Sequence, residues 1–244
     1  MQKQAGRFVM WWLLAAAAAA VVAGCGGRGR DPVAHARAQF AAALRDSGLV
    51  TSAALVRALE TVPLHELVQP AAGPEIYSEM PVAGGVVGSA PPVVDAVMVE
   101  AAGVKRGNKV LDVAPGIGYR AALCAKLGAR VCCVVGSPDE EQRLRDALKR
   151  VGCGSVAVEL GIKSQGCPKY GPFNILFADW DAASIPEAII DQIRNQGRVV
   201  LLPRPAADRI LVLKCQKTTL SPLETISVAD VLARYRTARA ALGK

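Results

Sequence analysis

From residue 92 onwards, short apolar runs alternate with longer segments in which apolar residues recur every three or four positions. Short apolar runs are typical of strands buried on both faces, and the longer spacing is typical of helices. Their alternation predicts a mostly parallel sheet with helices on both faces. No helix separates the runs at 198–202 and 209–215, so we expect these two strands to pair antiparallel. The predicted helices cover 92–103, 117–127, 139–151 and 185–194, and the predicted strands cover 109–113, 130–135, 155–160, 173–178, 198–202, 209–215 and 225–231.

The region before residue 92 has a different pattern. Residues 34–46 and 51–61 show helical spacing, and Thr51 or Ser52 can cap the second helix. Residues 70–92 are rich in Gly and Pro and are expected to be mostly loop. The fold class predicted is therefore α/β, with a doubly wound, mostly parallel sheet and an N-terminal helical extension.

The first residues of the chain resemble an export signal. Lys3 and Arg7 give a positive start, and residues 8–23 are apolar and uncharged. This apolar run is shorter than the roughly 20 residues of a membrane-spanning helix, and it ends in small residues, as signal peptides do. The string Val22-Ala23-Gly24-Cys25 resembles the bacterial lipobox, which implies cleavage before Cys25 and a diacylglycerol on its thiol. An ordinary signal peptide and an uncleaved anchor are the alternatives.

The residues after Cys25 are polar and rich in glycine, which is typical of a flexible tether. Residue 26 is Gly rather than Asp, and in Gram-negative bacteria this implies the outer membrane, facing the periplasm. We expect the membrane to be a partner through the lipid anchor, and envelope proteins are further candidates. The predicted organisation is a lipoprotein signal peptide at 1–24, the lipidated Cys25 and tether at 25–33, and a domain at 34–240.

The composition is that of a globular protein, with 52% hydrophobic and 20% charged residues. The formal net charge is +8, and Lys3 and Arg7 of the leader account for two of these charges. We find no basic block with interleaved aromatic residues, so nucleic-acid binding is not favoured. The positive charge instead fits a basic soluble surface near anionic lipid headgroups.

Seven cysteines are present, and six remain if Cys25 carries a lipid. In an exported chain these six permit up to three disulfides, and buried free thiols are the other interpretation. No CxxC spacing is present, so no metal site is predicted. Cys132 and Cys133 are neighbours on a predicted strand, and their side chains should point to opposite faces of the sheet.

The chemistry is predicted at a strand, a glycine-rich turn and a helix that follow one another after Lys109. The strand ends at Asp112, and the turn contains Ala114, Gly116 and Gly118. Glycines let a ligand approach the backbone closely, and the helix N-terminus offers free N–H groups. These four residues are the candidate cofactor-binding residues, although such turns also occur with a structural role only.

The flanking residues sharpen this interpretation. The string VLDVAPGIGYRAALCAKLGARV, which starts at Val110, resembles the VLEIGTGSGYQAA-type signature of protein-L-isoaspartate O-methyltransferases. The resemblance covers roughly residues 36 to 235 in collinear order. It implies the Rossmann-like fold of class I methyltransferases, S-adenosyl-L-methionine as cofactor, and methylation of a substrate carboxylate. The other similar segments are ALETVP with LV at 67–68, Tyr77 before MPV, GSAP at 88–91, YGPFNI at 170–175, and IP at 185–186 with QI and Gly197.

The chain departs from the family's pattern where that family binds its cofactor. Ala114 replaces the first glycine of the turn, and the Pro115 after it has no N–H. Val135 stands where a carboxylate takes the ribose hydroxyls, although Asp139 or Glu140 could substitute from the next helix. Ile162 replaces the Asp that would hold the adenine amino group. Losing two such carboxylates would remove roughly 3–6 kcal/mol, about 10² to 10⁴ in affinity.

The substrate loop of the family also differs here. Val87 replaces its threonine, which leaves Ser89 as the candidate catalytic residue, or alternatively as a helix N-cap. The favoured hypothesis is a membrane-anchored, catalytically degenerate domain that acts as a binding module. The alternative is an active S-adenosylmethionine-dependent methyltransferase that repairs isoaspartyl residues. A different chemistry has no support, because His35 and His65 lie in the N-terminal helices and no triad pattern is visible.

Overall fold

A seven-stranded sheet forms the centre of the fold in the computed structural model, which describes residues 31–68, 72–79 and 90–243. The strand order is β3-β2-β1-β4-β5-β6-β7. Strands β1 to β5 are parallel, and β6 and β7 are antiparallel to their neighbours. The doubly wound, mostly parallel sheet is thus confirmed, as is the antiparallel pairing of the two later strands. The strands are β1 Lys109–Asp112, β2 Arg130–Val135, β3 Ala157–Leu160, β4 Phe173–Ala178, β5 Ile193–Leu201, β6 Arg209–Gln216 and β7 Thr219–Ser227.

The helices cover both faces of the sheet, and the first three form the N-terminal extension expected from the sequence. Short 3₁₀ turns lie at Pro74–Ile76, Lys163–Gln165, Pro168–Tyr170 and Ala182–Ser184. The helices are α1 Pro32–Asp46, α2 Ala53–Thr61, α3 Leu64–Val68, α4 Pro92–Ala102, α5 Tyr119–Lys126, α6 Pro138–Arg150, α7 Glu187–Ile190 and α8 Val228–Leu242.

Each face of the sheet carries its own apolar cluster. The larger cluster contains Cys133 together with buried residues of α1, α2, α4 and α5. The smaller one contains Cys132 together with Ile189 of α7. The two cysteines therefore point to opposite faces, as the period of a strand requires.

The predicted cap of the second helix is also confirmed. The Ser52 hydroxyl accepts a hydrogen bond from the N–H of Leu55, 3.3 Å away. This bond satisfies one of the free N–H groups at the start of α2. The cap fixes the point at which the chain turns from α1 into α2.

Two predicted elements were wrong in extent or type. The helix expected at 185–194 is a single turn, Glu187–Ile190, and the chain is already in strand β5 from Ile193. The strand expected at 225–231 ends at Ser227, and the remainder is helix α8. The Ser227 hydroxyl accepts a hydrogen bond from the N–H of Asp230, 3.3 Å away, so this residue ends the strand and caps the helix.

Helix α8 packs against α1. The ring of Phe40 in α1 lies 5.8 Å from that of Tyr235 in α8 and 5.9 Å from that of Tyr77, centroid to centroid. Arg234 also donates a hydrogen bond of 2.7 Å to the carbonyl oxygen of Ser47. Offset aromatic contacts of this kind add to the burial of the rings themselves. The compact unit that contains these helices begins at Val33.

The leader, Cys25 and the tether lie outside the described residues, so the signal peptide and the lipid anchor stay predictions. Within the described ranges, no helix is long and apolar enough to cross a bilayer. All six cysteines after Cys25 are buried and have free thiols. In the same ranges, no group of three or more His, Cys, Asp or Glu side chains is placed to hold a metal ion.

Candidate functional site

The candidate site lies at the edge of the sheet where the parallel strands end. Strands β1, β2 and β3 have their carboxyl ends at this edge, because all three run in the same direction. In open α/β sheets the ligand crevice lies outside the carboxyl ends of the strands. Three loops therefore define the site: the turn at 113–118, the step at 136–137, and the segment that starts at Gly161.

The turn after β1 requires glycine at two positions. Gly116 has φ +55° and Gly118 has φ +86°, in the left-handed region that side chains with a Cβ rarely adopt. A Cβ on Gly118 would also lie 2.6 Å from Cδ1 of Leu144 in α6. No side-chain cap is seen at the start of α5 in the described structure. The N–H groups of its first turn are thus left for a ligand or for water.

Asp112 holds the turn from inside the protein. Its carboxylate is fully buried and accepts a hydrogen bond of 3.0 Å from the N–H of Ala114. Arg120 of α5 donates to both oxygens of the same carboxylate, Nε to Oδ2 at 3.1 Å and Nη2 to Oδ1 at 3.0 Å. Arg120 Nη2 also donates to the carbonyl oxygen of Ala114 at 2.6 Å. Both peptide groups of Ala114 are therefore held by buried charged side chains.

A second buried carboxylate completes this arrangement. Arg120 Nη1 donates to Oδ1 of Asp95 in α4, and the two atoms are 2.7 Å apart. Burial raises the pKa of Asp95 to about 6, although the charge of Arg120 opposes this rise. Burial alone would lower the pKa of Arg120, but the carboxylates of Asp112 and Asp95 raise it well above its usual range. Arg120 is therefore permanently charged.

Sequence reasoning missed both Asp95 and Arg120. Every other residue of the first two turns of α4 is apolar and buried, so one acid among them was the available signal. A buried acid needs a partner, because an unpaired charge in the interior is strongly unfavourable. The partner lies 25 residues away in the sequence, in the helix after the turn.

The end of β2 carries a carboxylate, although its last residue is apolar. Val135 is buried, and the next residue, Gly136, donates its N–H to Oε2 of Glu140 over 2.9 Å. Ser137 caps α6 by accepting from the N–H of Glu140 at 3.3 Å. This pair is close to a capping box, which by itself would explain the geometry. The same geometry brings the Glu140 carboxylate to the carboxyl edge of the sheet.

The end of β3 has an apolar surface. Leu160 is 48% exposed and Ile162 is 61% exposed, on either side of Gly161. Exposed side chains of this size are unusual when two stand so close together. They offer a flat aromatic group a surface to lie on, without a hydrogen-bonding partner for its edge.

Comparison with known sequences identifies the family. Residues 35–222 match the family described as protein-L-isoaspartate(D-aspartate) O-methyltransferase. The protein belongs to this family. A protein-L-isoaspartate O-methyltransferase of Aeropyrum pernix is 35% identical over 71% of this chain and 69% of its own length. One from Gloeobacter violaceus is 34% identical over 65% of this chain and 77% of its own length.

Solved structures of the family share the fold. A protein-L-isoaspartate O-methyltransferase superposes with a TM-score of 0.66 at 20% identity, over 78% of this chain and 65% of that chain. A second structure, described as a Plasmodium falciparum family member in complex with S-adenosyl-L-homocysteine, has a TM-score of 0.63 at 15% identity. It covers 79% of this chain and 97% of its own. The Rossmann-like class I methyltransferase fold is thereby confirmed.

The structure brings most of the predicted site residues together. Asp112, Ala114, Gly116 and Gly118 lie in one turn of this isoaspartyl methyltransferase domain, but Asp112 faces inward and not the crevice. Ser89 lies outside the described residues, so its catalytic role stays a prediction. Its alternative role as a helix cap stays a prediction for the same reason, and the structure places the N-cap position of α4 at Pro91.

The two histidines lie apart from the turn. His35 is exposed on α1, and His65 Nδ1 lies 3.2 Å from the hydroxyl of Tyr77. Both lie in the N-terminal helices, as the sequence predicts. Neither histidine joins the residues at the carboxyl edge.

Proposed function

We propose that the protein is an S-adenosylmethionine-dependent methyltransferase that acts on the side-chain carboxylate of L-isoaspartyl and D-aspartyl residues. The family match carries this proposal, because it spans residues 35–222 and so includes every loop of the carboxyl edge described above. The S-adenosyl-L-homocysteine bound to the Plasmodium falciparum relative supports the same cofactor class here.

The residues at the carboxyl edge fit this cofactor. The backbone of Gly116 and Gly118 and the uncapped start of α5 would hold its amino-acid end. Glu140 would accept from the ribose hydroxyls in place of the missing acid at Val135. Leu160 and Ile162 would contact the adenine ring. When bound, the cofactor supplies an activated methyl group.

The protein's own contribution is mainly to position the reactants. The family resemblance implies that the substrate carboxylate itself is the nucleophile, so no strongly nucleophilic side chain is required. Holding two reactants in the correct geometry can supply a large part of a rate enhancement. The buried ion pairs around Ala114 serve this purpose, because they fix the backbone of the turn before any ligand arrives.

A catalytically degenerate binding module is the second candidate function. The apolar residues Val135 and Ile162 favour it, since neither can accept a hydrogen bond from the cofactor. Glu140 offsets one of these two losses, which leaves about 1.5–3 kcal/mol, or roughly 10- to 150-fold in affinity. A loss of this size weakens the binding of a cofactor but does not abolish it. The active methyltransferase is therefore our preferred reading.

The test uses the full chain and two measurements. Calorimetry with S-adenosylhomocysteine should give a dissociation constant below about 50 μM. Transfer of radiolabelled methyl groups should occur to a peptide that contains isoaspartate, and not to the same peptide with normal aspartate. Binding without transfer would establish the binding module instead. Absence of both would refute the proposal.

We further propose that the protein is a lipoprotein of the cell envelope, anchored through Cys25, whose substrates or partners are envelope proteins. The lipobox-like residues before Cys25 and the charged start of the leader support this location. Labelling of cells with radioactive palmitate should mark the wild type and the Cys124→Ser control. The Cys25→Ser variant should stay unlabelled and uncleaved. An unlabelled wild type would contradict the lipid anchor.

A further inference from the structure

Three buried side chains form a cluster at the base of the cofactor turn, which we call the Asp95–Arg120–Asp112 clamp. One guanidinium lies between two carboxylates, with N–O distances of 2.7 Å to Asp95 and 3.0 Å to Asp112. All three residues are at most 5% exposed. The guanidinium also lies over the ring of Phe177, 5.3 Å from its centroid. Its orientation is thus determined from several sides.

The clamp has more charge than the fold requires. The family signature quoted above has an uncharged Gln where this chain has Arg120. Burying two carboxylates with a guanidinium is costly, and burial raises the pKa of Asp95 although the positive charges of Arg120 and Arg204 oppose the rise. An arrangement that opposes stability suggests another role.

The position of the extra charge indicates that role. Pro115 has no N–H, so the turn cannot use that residue as a donor to hold its shape. Instead, Ala114 is held through its N–H by Asp112 and through its carbonyl oxygen by Arg120. Asp95 keeps the far side of the guanidinium in place, so that Nη2 stays directed at the Ala114 oxygen.

We propose that Asp95 and Arg120 are positioning residues, which hold the turn at 114–118 in the conformation that binds the methyl donor. This inference rests on the proposed methyltransferase function. It assigns Asp95 no contact with the cofactor or substrate, because its carboxylate is buried and directed at Arg120. Its hydrogen bond to Arg120 links it to the turn.

The clamp should respond to pH. The charged groups that act on Asp95 are Arg120, Asp112 and Arg204. Burial raises the pKa of Asp95 to about 6, so the carboxyl becomes neutral below that pH and its attraction to Arg120 weakens. Cofactor affinity should therefore fall between pH 7.5 and pH 5. Because the folded-state pKa lies above the unfolded value, the stability contributed by this group is lost as pH rises through about 6.

The decisive variant is Asp95→Asn in the full chain. It removes a buried charge whose pKa is raised by burial, so the melting temperature at pH 7.5 should rise. Binding of S-adenosylhomocysteine should nevertheless weaken about 10-fold, and its dependence on pH should disappear. A residue with a merely structural role would not give a more stable protein that binds its ligand less well. Arg120→Lys should also weaken binding, because one ammonium group cannot hold Asp95, Asp112 and Ala114 together.

Glu100→Gln is the matched control on the same helix. The Glu100 carboxylate accepts hydrogen bonds from Thr51 and Ser52 and does not contact the turn. This variant should lower the melting temperature and leave the affinity for S-adenosylhomocysteine unchanged. An Asp95→Asn variant that binds as tightly as the wild type, or that keeps its pH dependence, would overturn the proposal.

A second readout separates this inference from the proposed function. If the wild type does not bind S-adenosylhomocysteine, the methyltransferase proposal fails, and hydrogen–deuterium exchange then tests the clamp. After correction for intrinsic rates, the amides of Ala114, Gly116 and Gly118 should exchange faster in Asp95→Asn than in the wild type. Equal exchange in the two proteins would refute the clamp.

Discussion

The two halves of the carboxyl edge are built in opposite ways. At the end of β1, both peptide groups of Ala114 are bonded to charged side chains that are themselves buried. At the ends of β2 and β3, the strands finish in Val135 and Leu160, and the nearest carboxylate comes from the first turn of α6. The first half is held by buried charges, whereas the second half has exposed apolar side chains at Leu160 and Ile162.

Because of this difference, substitutions in the two halves should affect folding stability to different degrees. Removal of the Arg120 guanidinium would leave two buried carboxylates without their shared partner, so the β1 half should be sharply destabilised by a change at Arg120. Exposed side chains such as Ile162 have no such partners, so the β2–β3 half can change with little effect on folding. Of the two departures from the family pattern, Ile162 is at such an exposed position, whereas Val135 is buried in the core.

The largest effect should come from Arg120→Met. The change leaves the carboxylates of Asp95 and Asp112 buried without a counter-charge, so the free energy of unfolding should fall by about 3–5 kcal/mol. Urea denaturation at pH 7.5 measures it, and the loss should be smaller at pH 5, where Asp95 is protonated. Arg145→Met, which removes a partly exposed pair with Glu141, should lower it by less than about 1 kcal/mol. If Arg120→Met and Arg145→Met lowered the free energy of unfolding by similar amounts, the buried cluster would be no more sensitive than a surface ion pair.

Gly118→Ala should be next in size. The left-handed backbone disfavours alanine by about 1–2 kcal/mol, and the contact with Leu144 adds about 1–3 kcal/mol. Gly107→Ala is the matched control, because its φ is +82° and nothing lies within 4 Å of the new Cβ. Thermal and urea denaturation should show the difference between them. If Gly107→Ala were as harmful as Gly118→Ala, close packing against α6 would not be the cause.

Glu140→Gln tests the other half of the edge. Its carboxylate is the group that would accept from the ribose, so affinity for S-adenosylhomocysteine should fall about 10-fold. The melting temperature should change little, because the Ser137 cap is kept. Glu141→Gln, one position along, should leave the affinity as it is. If Glu140→Gln binds S-adenosylhomocysteine as tightly as the wild type, Glu140 acts only in capping the helix.

Ile162→Asp should have the smallest effect, and in the direction of a gain. The side chain is 61% exposed, so a charge there costs little stability. A carboxylate at this position would restore the acceptor for the adenine amino group, and the dissociation constant should decrease by up to about 10-fold. Leu223→Asp, at another exposed apolar residue, should bind as the wild type does. If the affinity of Ile162→Asp for S-adenosylhomocysteine is no higher than that of the wild type, the adenine ring does not bind beside residue 162.

Much of the fold could be predicted from the sequence, because the buried strands are short apolar runs and Ser52 is a clear cap. The errors came where the local pattern was weak. Residues 193–197 are mostly polar, yet they begin strand β5, in which Ile193 pairs with Phe173 and regular pairing resumes at Arg198 after an irregularity. Thr225 and Ile226 favour a strand, which hid the helix that Ser227 starts.

The site was less predictable than the fold. Gly116 and Gly118 can be recognised from their spacing, because the turn needs them locally. The pairing of Asp95 with Arg120 depends on how α4 and α5 pack, and no spacing in the sequence encodes it. The position of the Glu140 carboxylate is equally hard to predict, because this side chain turns back along the helix and accepts a hydrogen bond from the N–H of Gly136.

The tilted contact between the rings of Phe40 and Tyr235 has a consequence for biogenesis. Phe40 in α1 contacts Tyr77 and, in α8, Tyr235, so its burial is complete only when α8 has packed against α1. Products that terminate before Val228 would lack that partner, and their exposed ring would mark them for chaperones and proteases.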